Sequence, residues 1–339
     1  MNYVTLGRTG VQVSPLCLGT MNFGGVTDEV TSKHIVAAAL EQGINFIDTA
    51  NIYNQGRSEE ILGRALKESG QRARVVLGTK VHVQMDATDP NSSNNHRRHI
   101  IEQCHASLRR LQTDYLDIFY IHRPSTQIPI DETLRALDDL VRAGDVRYIG
   151  SSDFAAWKLI ESLWVAKEYG LNRFVCEQSA YHLLDRRAER ELFPMTQSYG
   201  MAVTVWSPLA GGFLTGKYTR DAERPGGSRL SEANDWADRH FKPEAFDVVE
   251  VVRQLAEKKG YGPAQIAMAW CLRHEAVTSV LMGPKTVAQL KDVIQAREVS
   301  FSAVELQRLD SVSAPGRVIV PYYIDDAFAD FRPHRFPWI

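Results

Sequence analysis

The sequence predicts an α/β fold in which eight strand-then-helix units close into a (β/α)8 barrel behind an N-terminal β-hairpin. Three observations carry this. Short apolar segments rich in Val and Ile alternate eight times with longer segments of helical periodicity, as strands buried on both faces and wrapped by helices should. Several of the helical segments stop at a glycine, the residue that best takes the left-handed conformation just past a helix end. The rival fold, a doubly wound dinucleotide-binding sheet, wants G-x-G-x-x-G after an early strand. The first strand is followed by Gly19-Thr20-Met21 instead, and that fingerprint occurs nowhere in the chain.

Residues 3–6 and 11–13, joined by Gly7-Arg8-Thr9-Gly10, read as the hairpin. The eight units then follow. Strands are expected over 16–18, 44–47, 75–77, 117–121, 147–149, 174–176, 203–206 and 279–281. Their helices are expected over 32–42, 58–69, 98–111, 130–143, 155–169, 187–199, 243–259 and 287–296. An extra helix over 263–274 precedes the last strand. Three stretches are too long and polar to be plain connectors: 82–97, the Gly-rich 210–240, and an aromatic, proline-rich tail over 315–339 expected to lie over the active-site face.

The 339 residues, 44% of them hydrophobic, suffice for one large barrel domain spanning 1–339. A formal net charge of -2 with no dominant basic face argues against nucleic acid or an anionic membrane as partner. Cys17, Cys104, Cys176 and Cys271 are far apart and form no C-x-x-C pair, which suits a reducing compartment and small buried thiols. With no signal-like N-terminus and no run near the ~18 apolar residues of a membrane span, a cytoplasmic location is expected. His96, His99 and His105 straddle a polar loop and a helix with no Cys or carboxylate at ligand spacing, so no metal site is expected.

Barrel geometry brings the carboxyl ends of successive strands to one face. There the second strand ends at Asp48 with Tyr53 shortly after, the third at Lys80 and the fourth at His122. A phenol titrates near ~10, and a neighbouring ammonium lowers that value. The ammonium stays charged in a partly dry site if a carboxylate pairs with it. Such a tyrosine can act as general acid toward a carbonyl oxygen, with the imidazole polarising the same oxygen. These four residues carry no reductant, so a cofactor must supply hydride.

An ordered series of short motifs accompanies them. It comprises Leu6-Gly7-Arg8-Thr9-Gly10, Asp48-Thr49-Ala50 with Tyr53, Thr79-Lys80, Ile121-His122-Arg123-Pro124, Gly150-Ser151-Ser152-Asp153-Phe154, Gln178, Trp206-Ser207-Pro208-Leu209, Leu214-Thr215-Gly216-Lys217 and Gly283-Pro284-Lys285-Thr286. With this series the chain resembles the aldo-keto reductase superfamily, and within it the branch that includes the potassium-channel β-subunit-like reductases. The resemblance implies a catalytic tetrad of Asp48, Tyr53, Lys80 and His122, and NADPH/NADP+ extended across the barrel mouth.

It further implies that Ser152, Asp153 and Gln178 hold the nicotinamide carboxamide, although Asn is commoner where Asp153 stands. Trp206 takes the place of the aromatic that stacks on the nicotinamide, where Tyr is commoner. Leu209, Gly211, Leu214, Gly216 and Lys217 match the loop over the pyrophosphate, with Arg229 in reach of it. Lys285 and Gln289 match positions at the adenosine 2′-phosphate, and Val293 stands where Asn is frequent. Gly19, Thr20, Met21, Asp48, Ser207, Pro208 and Gly283 complete the implied cofactor-binding set.

The implied activity is NADPH-dependent reduction of an aldehyde or ketone, with small-molecule carbonyls or alcohols as partners. Met21, Phe23, Ile52 and the variable stretches are expected to line the pocket, which would suit sugar-like, aromatic or terpenoid carbonyls alike. The alternative is a nucleotide-sensing regulatory subunit with little turnover.

Overall fold

The computed structural model describes residues 1–220 and 222–321. It opens with the hairpin β1 (Val4–Thr5) and β2 (Gln12–Val13), which pair antiparallel. There follow β3 (Leu16–Gly19), α1 (Glu29–Glu41), β4 (Phe46–Asp48), α2 (Arg57–Ser69), β5 (Val76–Val81) and α3 (Arg97–Leu111). The chain continues through β6 (Leu116–Ile121), α4 (Ile130–Ala143), β7 (Val146–Ser152), α5 (Ala156–Tyr169), β8 (Phe174–Ala180), α6 (Leu192–Tyr199) and β9 (Ala202–Trp206). Last come α7 (Asp235–Asp238), α8 (Pro243–Lys259), α9 (Pro263–Leu272), β10 (Ser279–Met282), α10 (Val287–Ile294) and α11 (Ala303–Val312). Strands β3 to β10 close into one parallel eight-stranded barrel, with β10 pairing both β9 and β3. The expected (β/α)8 barrel and its hairpin are therefore the fold.

Most boundaries move by one to four residues, for local reasons. Helix α1 starts early because the Asp28 carboxylate caps it, accepting from Thr31 N at 2.9 Å. The segment expected as one helix over 187–199 splits into a 3-10 turn at Arg187–Glu189 and α6. A helix running back to 187 would put Pro194 in its interior, where the ring clashes with the carbonyl four residues earlier. Helix α11 was not expected, yet Ser302 and Glu305 form a capping box at its start. The last described residues run along the loop that follows β8. Arg186 N donates to Arg317 O, and Ile319 N and Val320 N donate to Leu184 O, each at 2.9 Å. The rest of the expected tail, 322–339, lies outside the described residues.

Inside the barrel, side chains alternate with period two. Cys17, Phe46, Val76, Ile118, Tyr120, Cys176 and Ala202 pack together with Leu6 and Val13 of the hairpin, which plugs the lower end. The outward set of the strands packs on the helices in the larger core. Tyr120 is fully buried and is the largest of the inner group. Its neighbours on both flanking strands are glycines. A Cβ on Gly78 would lie 2.9 Å from the Tyr120 ring, and one on Gly150 would lie 2.6 Å from the ring and 2.8 Å from Cys176 Sγ. One ring thus fills the width that three strands would otherwise share.

Gly150→Ala should therefore overpack the floor of the barrel and lower stability by about 1–3 kcal/mol. Gly226→Ala, whose Cβ would meet nothing within 4 Å, should stay within about 0.5 kcal/mol of wild type. Equal denaturant midpoints for the two variants would contradict this packing account.

Candidate active site

The period that fills the barrel also builds its mouth. Two residues beyond the inward-facing Phe46, Gly78, Tyr120, Gly150, Cys176 and Thr204 stand Asp48, Lys80, His122, Ser152, Gln178 and Trp206. Each points back toward the axis, one layer higher. The structure therefore brings together at one end the strand-terminal residues expected there.

Lys80 lies at the centre and is fully buried, as is Asp48. Its Nζ donates to Asp48 Oδ1, to Thr49 O at 2.8 Å and to Tyr53 Oη at 3.3 Å. An ammonium has three hydrogens and no lone pair, so all three are used. The second oxygen of Asp48 accepts from Gln178 Nε2 at 2.9 Å. Burial pushes Asp48 above the usual carboxylate range, with Lys80 and Gln178 pulling it back. Burial works against the Lys80 charge, but Asp48 and Tyr53 outweigh it and lift its titration above the ordinary value.

Tyr53 departs from expectation. Burial of the phenol raises its titration, and the ammonium of Lys80 only partly offsets that. The group stays protonated at neutral pH. Because Lys80 can only donate, the Tyr53 oxygen is the acceptor in that contact, and its own hydrogen is free to point elsewhere. His122 meets Tyr53 edge to face, with ring centroids 5.9 Å apart. Burial, with Lys80 adding to it, holds its titration well below the ordinary value, so the imidazole is neutral. Its Nδ1 is buried without a hydrogen-bond partner.

Several residues support the site without having been given a role in it from the sequence. Glu59 is fully buried on α2, accepting from Thr79 Oγ1 and, at 2.6 Å, from Arg110 Nε of α3. This ties two helices to the residue before Lys80. Glu177 is buried on β8 beside Gln178; its carboxyl meets Ser151 Oγ and accepts from Phe154 N at 3.0 Å. Burial pushes its titration far up, and its two contacts pin the turn after β7. The available signal was an acidic residue inside the apolar run 174–180, which only a satisfied group can occupy. Asp117 accepts from Leu77 N at 3.0 Å and pairs with Arg72 at 2.9 Å.

The residues implied for a cofactor fall on adjoining strands of the closed barrel. Gly19 ends β3, and the turn after it is joined to β10 by Asn22 Nδ2 donating to Gly283 O at 2.9 Å. Thr20 is fully buried, its hydroxyl 2.8 Å from Ser58 Oγ, whereas Met21 is exposed. Ser152 Oγ donates to Gln178 O at 2.9 Å, and Trp206 Nε1 donates to Asp153 Oδ1 at 3.0 Å. Ser207 and Gly211 have left-handed backbone, and Ser207 Oγ accepts from Gly211 N at 3.2 Å. Pro208 and Leu214 are buried, Leu209 and Gly216 half-buried, and Lys217 is exposed. Exposed Arg229 lies over the Trp236 ring at 5.5 Å. Beyond β10, Thr286 caps α10 through Gln289 N at 3.2 Å, while Gln289 Oε1 accepts from Lys285 N at 2.8 Å.

One expectation needs correction. Phe23 is fully buried in the core and does not line an open pocket, whereas Met21 is exposed and Ile52 half-buried. The Gly-rich segment 210–240 is anchored in the core: Phe213, Tyr218 and Leu230 are buried, and Phe213 stacks on Tyr218 at 5.7 Å. Among the described residues no group of His, Cys, Asp or Glu is placed to hold a metal ion, and no helix is long and apolar enough to cross a membrane.

Residues 15–314 match the family model described as "Aldo/keto reductase family". The chain is 41% identical over 323 residues to a protein of Bacillus subtilis named "Uncharacterized oxidoreductase YrpG", covering 92% of this chain and 96% of that one. It is 36% identical over 319 residues to a "Probable voltage-gated potassium channel subunit beta" of Arabidopsis thaliana, with the same 92% and 96% coverage. A "Putative voltage-gated potassium channel subunit beta" of Schizosaccharomyces pombe is 37% identical over 301 residues, covering 86% of this chain and 87% of that one.

Asp48→Asn keeps the shape of the side chain but leaves the buried Lys80 ammonium without its carboxylate. The variant should lose about 3 kcal/mol of unfolding free energy. Adding Lys80→Met should restore part of that loss. A single variant as stable as wild type in denaturant titration would mean that the pair is not a buried ion pair.

Proposed function

The chain belongs to the aldo/keto reductase family, and from that premise we propose that it is an NADPH-dependent oxidoreductase reducing an aldehyde or ketone to the alcohol, with Tyr53 as proton donor. One observation carries the reading. Lys80 donates to the Tyr53 oxygen at 3.3 Å, which leaves the phenolic hydrogen available to a carbonyl oxygen at the mouth. The raised titration of Tyr53 keeps that hydrogen in place at neutral pH, and Lys80 stabilises the phenolate left once it has been given up. Neutral His122 adds a second polar group beside the same oxygen. Asp48 holds Lys80 charged, and Gln178 holds Asp48.

The family generally uses NAD(P)H, and the donor set of this chain fits such a cofactor. The Gln178 amide must turn its nitrogen toward the acceptor-only Asp48, so its carbonyl oxygen is directed away from that carboxylate, as a carboxamide donor requires. Gly283 is exposed with no atom within 3.5 Å of a Cβ position, leaving backbone open to close approach. The α10 N-terminus, with Thr286 as cap and Lys285 before it, suits a phosphate. Ser152, Asp153, Gln178 and Trp206 would hold the nicotinamide end. Leu209, Gly211, Leu214, Gly216, Lys217 and Arg229 would hold the pyrophosphate, and Lys285 and Gln289 the 2′-phosphate. When bound, NADPH supplies the hydride.

The second reading is a nucleotide-sensing regulatory subunit, favoured by the names of the Arabidopsis and fission-yeast relatives. The complete set of Asp48, Tyr53, Lys80 and His122 favours turnover. Oxidation of NADPH with a panel of aldehydes separates the two.

Tyr53→Phe should lower carbonyl reduction by at least about 10²-fold while NADPH still binds; near wild-type turnover would remove Tyr53 from the role. Lys80 pulls the phenol's titration down, so any residual activity of Lys80→Met should show its basic limb at higher pH than wild type. An unmoved limb would disconnect Lys80 from the proton donor. Lys285→Ala should raise the Michaelis constant for NADPH by roughly tenfold, the scale of one charged contact, and leave that for NADH nearly unchanged. Equal weakening of both would take the 2′-phosphate away from this site.

A further inference from the structure

Resting on the reductase reading above, we propose that Asn54 is a positioning residue for that reaction: its amide clasps the turn that follows Tyr53 to the loop after β3 and so fixes where the phenol stands. Asn54, Gln55 and Gly56 have φ of +50°, +56° and +87°. L-residues take left-handed backbone as isolated positions, and Asn more readily than most. Among the described residues no other two adjacent non-glycine positions share it. A run of this kind persists only where its surroundings hold it, and it begins one residue after the proposed proton donor.

The Asn54 side chain supplies that hold. Its Nδ2 donates to Met21 O at 3.0 Å and to Phe23 O at 2.7 Å. Both partners can only accept, so both amide hydrogens are used and the orientation of the amide is fixed. A Cβ on Gly25 would lie 2.6 Å from Asn54 Oδ1 and 3.0 Å from its Nδ2, so the loop leaves that side chain a fitted slot. The loop is itself anchored. Thr20 N donates to Asp48 O at 3.0 Å, Asn22 Nδ2 donates to Gly283 O at 2.9 Å, and Phe23 is fully buried.

The clasp reaches Tyr53 through the backbone. Tyr53 N donates to Ala50 O at 3.2 Å and Ser58 N donates to Tyr53 O at 3.3 Å. Within the turn, Gln55 N donates to Ile52 O and Arg57 N to Asn54 O, each at 3.1 Å. Lys80 restrains the phenol at its oxygen, and the clasped turn restrains the other end. A displacement of about 1 Å at a reacting group can cost on the order of 10²-fold in rate. The charges that face the phenol are Lys80, Asp48 and Asp153, with neutral His122 edge-on. In the held position burial outweighs Lys80 and keeps the titration high. A phenol released toward water loses both influences, and its titration falls back toward the ordinary value.

Asn54→Gly removes the clasp and leaves a residue that takes left-handed backbone freely. With glyceraldehyde, benzaldehyde and citral as probes, it should lower kcat by about tenfold or more and leave the Michaelis constant for NADPH close to that of wild type. It should also move the basic limb of the pH–rate profile to lower pH, opposite to Lys80→Met. Gln55→Gly, in the same turn but outside the clasp, should stay close to wild type with its limb in place. Gly25→Ala is a second route: its Cβ evicts the Asn54 amide from the slot and should reproduce both changes of Asn54→Gly. Wild-type kcat in Asn54→Gly and Gly25→Ala would overturn the proposal. So would a lowered kcat with an unmoved limb, which is what a merely structural role gives. Equal losses in Gln55→Gly would assign the effect to the backbone instead of the amide and overturn it as well. Tyr53→Phe separates this proposal from the reading beneath it. Near wild-type turnover there, or no turnover by wild type with any of the probes, removes the proton-donor reading and this proposal with it. A slow Tyr53→Phe beside an unaffected Asn54→Gly overturns this proposal alone.

Discussion

A lysine with no exposed surface constrains everything around it. The Lys80 ammonium has left bulk water, and such a transfer is tolerable only if each hydrogen finds an acceptor and a counter-charge lies close. Asp48, Thr49 O and Tyr53 meet that demand, and each comes from a different point of the β4 end or the turn beyond it. The requirement fixes the relative height of β4 and β5, orients the Tyr53 oxygen, and leaves one Asp48 oxygen for Gln178 across the barrel. Gly78 makes room below: a Cβ there would lie 3.5 Å from Asp48 Oδ2 and 2.9 Å from the Tyr120 ring. Charge pairing at the mouth and ring packing beneath it therefore share the same pair of strands.

A second layer keeps those strands from shifting. Glu59 links Thr79 of β5 to Arg110 of α3, and Asp117 of β6 takes Leu77 N together with Arg72. Glu177 does the same for the turn after β7. Glu59 and Asp117 have arginines as partners, the side chains best suited to buried pairing. At Glu177 burial instead raises the titration of the carboxyl, which Ser151 Oγ and Phe154 N hold in place. The chemistry of the mouth thus rests on groups that never reach it.

Much of this was legible in the sequence because period two is a strict rule inside a barrel. Once strands are placed within a residue or two, the ends at Asp48, Lys80 and His122 must converge, and they do. Tyr53 was legible through its distance from Asp48, but the direction of its titration was not. The ammonium is visible in sequence as a neighbour, whereas the depth of the phenol exists only in three dimensions. Glu177 and Arg110 look like ordinary charged residues until the helices are packed. Helix α11 carried a readable signal in Ser302 and Glu305, whereas the break before α6 follows from Pro194. The bond between Asp153 and Trp206 joins residues 53 positions apart, and no local pattern announces it.

The hairpin has a wider consequence. Leu6 and Val13 fill the lower end of the barrel against Cys17, Phe46 and Tyr120, so the interior is a vessel stoppered at its base. Protons, like larger molecules, have the rim as their way to Tyr53. On the proposed role of Tyr53, a phenolate formed there would be recharged from bulk water through the doorway by which the product leaves, which would put departure and reprotonation in a queue. The two strands that look like an ornament at the start of the chain would thereby help set the order of events at the opposite end.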